Sequence, residues 1–157
     1  MGFFYLWQTK NKLNTFKIKL IVIYIAKNSL NNVVLTLSES STLTNPFYLF
    51  EFINEWQVEE NPTSIFFTTP DISDYTERYN LFQITESITG STTGGTNVAL
   101  SLTNGQYKYN VYEASASTLS ISATTGVIIE SGRQVVGDVI QTLNNNTNNS
   151  PSMGIYD

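Results

Sequence analysis

Neither cysteine nor histidine occurs anywhere in the 157 residues. The first absence excludes disulfides, thiolate metal sites and a cysteine nucleophile. The second removes the commonest general base and the usual transition-metal ligand, so Ser-His-Asp and Cys-His chemistry cannot be assembled from this chain alone. Charge is scarce as well: Asp, Glu, Lys and Arg together make up 13% of the chain, about half of the usual ~25%. Because the hydrophobic fraction of 41% is near the globular norm, the exposed surface must be drawn largely from Ser, Thr and Asn. Such a surface suits strands, turns and faces that pack against neighbours. No apolar run reaches the roughly 20 residues of a membrane-spanning helix, since Lys10, Lys12, Lys17 and Lys19 interrupt the N-terminal one. A sustained 3.6-residue apolar period is missing too, which turns the reading toward strands.

The charges that are present are unevenly spread. Residues 1–27 carry five lysines and no acid, whereas three basic and thirteen acidic residues follow from Asn28 onward. Nucleic-acid binding by this acidic body is disfavoured, because neutralising phosphates takes clustered cations and only Arg78, Lys108 and Arg133 are available there. The length supplies one domain with a real core. We divide the chain into a basic, aromatic arm with a possible first strand (1–27), a β-sandwich domain (28–140) and an Asn-rich extension (141–157) that holds no core residues before Ile155 and Tyr156. The N-terminal stretch matches a signal peptide poorly; it reads better as a strand near 16–25 preceded by an arm. In that arm Phe3, Phe4, Tyr5 and Trp7 are the candidate partner contacts.

From Asn32 the chain reads as short alternating strands. NVVLTLSE places Val33, Leu35 and Leu37 inward. After Asn45-Pro46, PFYLFEFI places Tyr48, Phe50 and Phe52 inward while Phe47, Leu49 and Glu51 face away; with both faces largely apolar, this strand belongs in a sheet's interior. TSIFFTT follows and ends at Pro70. NLFQITES turns Phe82 and Ile84 inward, and residues 89–96, TGSTTGGT, are expected to be a loop. NVALSLT presents Val98, Leu100 and Leu102, and Asn104-Gly105 predicts a hairpin to GQYKYNVYEA. There Tyr107, Tyr109 and Val111 point inward and Lys108, Asn110 and Tyr112 outward. Leu119, Ile121 and Ala123 then alternate, ahead of GVIIESG and RQVVGDVI. Seven or eight such strands predict an all-β protein, an immunoglobulin-like or jelly-roll-like antiparallel β-sandwich.

Three groups of residues could carry chemistry. Asp71, Asp74 and Glu77 in DISDYTE could offer oxygen ligands to Ca²⁺, but their spacing is not that of an EF-hand, and a capped helical turn explains them better. Glu51, Glu55, Glu59 and Glu60 could supply the carboxylate pair of a glycosidase, but as four acids on one hairpin they read as a solvated edge. Arg78 reads as a structural ion pair or a guanidinium stacked on a ring. The expectation is therefore a protein with no enzymatic activity and no cofactor. The competing classes are a secreted or surface-exposed bacterial adhesin and, further off, a carboxylate-dependent glycan hydrolase.

In NVVLTLSE, PFYLFEF, DISDYTERYNLFQITE and GQYKYNVYEAS, spanning residues 28–136, the chain resembles small virion structural proteins of tailed bacteriophages, the crAss-like and related phages of Bacteroidota and marine phages. One departure is Ala114, where a glutamine is expected after Tyr112-Glu113. Another is the arm, since relatives start near Ile23 or Ile25. The resemblance implies a virion location and a head, neck or tail accessory role such as capsid decoration or fibre attachment. The partners it implies are the major capsid protein or neck and tail proteins, and further copies of the chain, with no nucleic acid and no membrane. It implies no catalytic residue.

Overall fold

The protein is described here by a computed structural model covering residues 22–55 and 63–138. Nine strands form two sheets packed face to face: β1 (Val22–Ala26), β2 (Leu30–Leu35), β3 (Phe47–Asn54), β4 (Ser64–Thr68), β5 (Asn80–Glu86), β6 (Ser91–Thr92), β7 (Val98–Leu100), β8 (Gly105–Ala114) and β9 (Ile128–Gly137). One sheet has the order β1-β9-β8-β3-β4 and the other β2-β5-β7-β6. The run β9-β8-β3 reproduces the G-F-C ladder of immunoglobulin sandwiches. The opposite sheet departs from that plan, because β7 lies beside β5 and runs parallel to it. With β1 also parallel to β9, the expectation of a wholly antiparallel sandwich is corrected at two pairings.

Strand alternation decides what is buried. Val33, Leu35, Leu37, Tyr48, Phe50, Phe52, Phe82, Ile84, Val98, Leu100, Leu102, Tyr107, Tyr109 and Val111 all join one core, as the inward sets predict, and Ile23 and Ile25 from β1 join it too. Its centre is aromatic: Phe50 stacks on Phe67 at 5.0 Å between ring centroids and meets Phe82 edge-on at 4.9 Å, arrangements favoured by the ring quadrupole. The strand expected near 16–25 is present over Val22–Ala26, and the rest of that span lies outside the described residues. No helix among the described residues is long and apolar enough to cross a membrane.

The Asn104-Gly105 hairpin does not form. β8 pairs with β3 and β9, whereas β7 pairs with β5 and β6, so residues 101–104 carry the chain from one sheet to the other. Two clamps make the crossing favourable. The Tyr107 hydroxyl donates to the Thr103 carbonyl at 3.1 Å and accepts from the Thr103 N–H at 3.1 Å, a tyrosine corner at the start of the F-like strand. The buried Glu86 carboxylate accepts from the Leu102 N–H at 3.2 Å, from the Asn28 N–H at 2.7 Å and from Lys27 Nζ. The two clamps explain why a turn dipeptide was misleading: Leu102 keeps the inward alternation while its N–H and carbonyl are satisfied by Glu86 and Lys27 instead of a hairpin partner. Replacing Tyr107 with Phe is expected to lower stability by about 1–3 kcal/mol, measured by urea unfolding, with the far-UV circular dichroism unchanged.

Three smaller expectations are corrected. The glycine-rich segment 89–96 is not all loop, because Ser91 and Thr92 pair with Leu100 and Ala99. Gly90 makes this approach possible, since a Cβ there would lie 2.5 Å from the Leu100 carbonyl carbon. Ile121 and Ala123 belong to a short 3-10 turn (Ile121–Ala123) with no buried residue. GVIIESG and RQVVGDVI are not two strands: a single strand, β9, takes in parts of both.

Candidate functional site

The connections β2–β3, β4–β5, β6–β7 and β8–β9 gather at one end of the sandwich, and two adjoining cavities open among them. The first, about 480 Å³, lies between residues 38–48 and the turn around 71–80; Ser41, Asn45, Phe47, Tyr48, Asp71 and Glu77 are among its walls. The second, about 450 Å³ and mainly apolar, is bounded by Pro46, Phe47, Tyr48, Pro70, Gly95 and Ser117, among others. Pro46, Phe47, Tyr48 and Asp71 are common to both. Phe47 begins β3 on its outward face and is 48% exposed, an aromatic ring left uncovered at the cavity mouth.

Two carboxylates, Glu113 and the partly buried Asp71, hold these walls in place. Glu113 is buried at the end of β8 and accepts from Ser41 Oγ at 2.8 Å, the Thr42 N–H at 2.9 Å, the Leu43 N–H at 3.3 Å and Thr42 Oγ1. Burial opposes its ionisation, but the donors from Thr42 and Ser41, with the Leu43 N–H, prevail and hold the carboxyl below its ordinary range. This is the expected behaviour of a carboxylate that receives several donors. Asp71 accepts from the Ser73 and Leu81 N–H groups through Oδ1, both at 2.9 Å, and from Asn80 Nδ2 through Oδ2 at 2.7 Å. Asn80 Oδ1 in turn accepts from the Leu37 N–H at 2.8 Å, tying the two loops together. The Tyr48 hydroxyl is kept protonated by burial and then by the nearby Asp71 charge.

The residues singled out from the sequence fall into different places. Asp71 staples the turn, with Ser73 Oγ accepting from the Tyr75 N–H, as a capped turn requires; Glu77 lines the cavity. Among the described residues no group of three or more carboxylates is arranged to hold a metal. Glu51 is not on a solvated edge. It is buried on the outward face of β3, where Oε1 accepts from Ser64 Oγ at 2.9 Å and Oε2 from Asn110 Nδ2 at 2.8 Å and the Tyr112 hydroxyl at 2.9 Å. Asn110 and Tyr112 point outward as expected but are buried around it. Glu55 stands 3.9 Å from Arg133, while Glu59 and Glu60 lie outside the described residues, as do Phe3, Phe4, Tyr5 and Trp7. The reading of Arg78 is corrected: it is exposed on the turn and forms no ion pair or ring stack among the described residues.

Two functional features were missed in the sequence, though each left a trace. Phe47 is an aromatic at the outward-facing first position of a strand, directly after a proline. Glu113 is a carboxylate in the inward register of Tyr107, Tyr109 and Val111, a position that demands several donors. The site thus offers a rigid, partly apolar cleft with an acidic wall, and its carboxylates Asp71 and Glu113 are engaged in holding the loops. No protein-family model, curated protein or solved structure matches this chain.

Proposed function

We propose that this protein is a structural subunit of a tailed-bacteriophage virion, a head, neck or tail accessory component, that works by contact with other virion proteins. The observation that carries the contact role is the disposition of its acids. Glu51, Asp71, Glu86 and Glu113 each accept several hydrogen bonds from their own chain. Phe47, Tyr24, Val34 and Ile72 remain exposed. A molecule whose acids brace its own loops while apolar side chains meet the outside is built to present surfaces. The virion setting is supported by the resemblance of the motifs between residues 28 and 136.

Mass spectrometry of purified virions tests this reading. The protein is expected in particles at a fixed ratio to the major capsid protein. Its absence from particles, together with its presence in the host envelope, would point to an adhesin instead. Glycan turnover that disappears in Glu51→Gln would mark it as a hydrolase.

A further inference from the structure

We propose that two copies of this chain join edge to edge through β2, the strands antiparallel about a two-fold axis at Asn32, so that the β2-β5-β7-β6 sheets of both become one continuous sheet. The inference concerns the chain itself and holds whatever larger assembly the protein enters.

Backbone direction identifies the edge. Continuing the β2–β5 register sets Ser29 opposite Glu86, and the Glu86 N–H donates to the Ser29 carbonyl at 2.9 Å. Opposed residues in an antiparallel pair alternate between bonded and non-bonded. Asn31, Val33 and Leu35 therefore bond to β5, and the N–H and C=O groups of Leu30, Asn32 and Val34 point off the sheet. None of these groups has a partner among the described residues, and all three side chains are exposed.

The other edges are closed or too short. On β1 the outward groups of Ala26 are taken: its N–H donates to Asn31 Oδ1 at 2.8 Å, and its carbonyl accepts from Ser29 Oγ at 2.9 Å and Asn31 Nδ2 at 3.0 Å. On β4 the Thr68 N–H donates to the Thr93 carbonyl at 2.8 Å, and β6 has two residues. β2 also lacks the charge, proline or bulge with which edge strands ordinarily repel a second strand.

Self-complementarity selects a second copy as the occupant. Leu30, Asn32 and Val34 are symmetric about Asn32, so a two-fold turn sets Asn32 against the partner's Asn32 and Leu30 against the partner's Val34. Each such pair can exchange two main-chain hydrogen bonds, which uses every group left open on this edge. The side chains agree with that register. Asn32 Oδ1 accepts from Gln83 Nε2 at 3.3 Å, leaving its Nδ2 to donate across the axis. Leu30 and Val34, 59% and 55% exposed, cover each other on either side of it. β5 adds only Leu81, Gln83 and Thr85 to this face, so two copies of formal net charge −5 meet along a seam where neither carries a charge.

Sedimentation of the full-length chain over a concentration series is expected to show a monomer–dimer equilibrium. Asn32→Lys and Asn32→Glu each set like charges across the axis and should weaken it about fivefold or more. The far-UV circular dichroism should not change, because the side chain is exposed, and mixing the two variants should restore the dimer. As the chain has no cysteine, introduced thiols report the register: under mild oxidation Leu30→Cys should cross-link with Val34→Cys far faster than either does with itself. A chain that stays monomeric at every concentration, leaving the edge to a strand of another protein, overturns the proposal. So does a mixture of the charge variants that associates no better than each alone, or Leu30→Cys coupling best to itself. Virion mass spectrometry depends on none of these readouts, so failure of one reading is distinguishable from failure of the other.

Discussion

Replacing Phe50 with Ala is expected to destabilise the fold by about 3–5 kcal/mol, a large part of the roughly 5–15 kcal/mol that keeps a domain folded. Phe50 has no exposed surface and lies at the junction of the two sheets, against Phe67 from β4 and Phe82 from β5. Phe67 also meets Phe52 at 4.8 Å, and Phe82 meets Tyr48 at 5.6 Å, so neither ring can move into the vacated space without leaving its other partner. The cavity should therefore collapse only in part, which places the cost at the upper end. Urea unfolding followed by circular dichroism measures it. Phe50→Leu, which keeps most of the volume, should recover more than half of the loss; equal losses in the two variants would show that packing at this position is not what the residue provides.

The second large effect is expected at Glu86. This carboxylate has no exposed surface and holds the Lys27 ammonium, the Asn28 N–H and the Leu102 N–H. It thereby fixes the β1–β2 turn, where Asn28 adopts a φ of 52°, to the crossing between sheets. Glu86→Ala leaves Lys27 largely buried without its counter-charge and two backbone donors unpaired, a loss of about 3–5 kcal/mol. Burial raises the carboxyl's affinity for a proton, but the donors from Lys27, Asn28 and Leu102 outweigh it and set the group below its ordinary value of 4.5. The folded state thus prefers the ionised form. The stability this contributes is fully present above the unfolded value and is lost as pH falls through the lower, folded one. Glu113 is lowered in the same sense, so both act together. Unfolding midpoints measured from pH 7 to pH 3 should fall steeply below about pH 4.5 in the natural chain and less steeply in Glu86→Gln. Parallel acid limbs would remove Glu86 from the account.

Much of the fold was legible in the residues. Alternation alone identified the inward members of β2, β3, β5, β7 and β8, because a strand facing a core on one side must repeat every two residues. The apolar character of both faces of PFYLFEF correctly pointed to an interior strand: β3 lies between β8 and β4. The connection DISDYTERYN was legible as a capped turn because Asp and Ser bond to backbone N–H groups nearby in sequence. Pairing across the sheets was not legible. Asn104-Gly105 carries a strong local hairpin signal, yet Leu102 and Tyr107 are held by Glu86 and Thr103, contacts that alternation does not encode.

For the candidate site the division is similar. The sequence by itself determined that His- or Cys-dependent chemistry is excluded, that the core is aromatic and extended, and that a basic segment precedes an acidic body. Only the tertiary structure decided that Glu51, Glu86 and Glu113 are buried braces and that Phe47 stands open between two cavities. The physical reason is that burial of a strand's apolar face depends on period, which is local, whereas the state of a carboxylate depends on which donors reach it. Those donors come from residues as much as 72 positions away, as Ser41 does to Glu113.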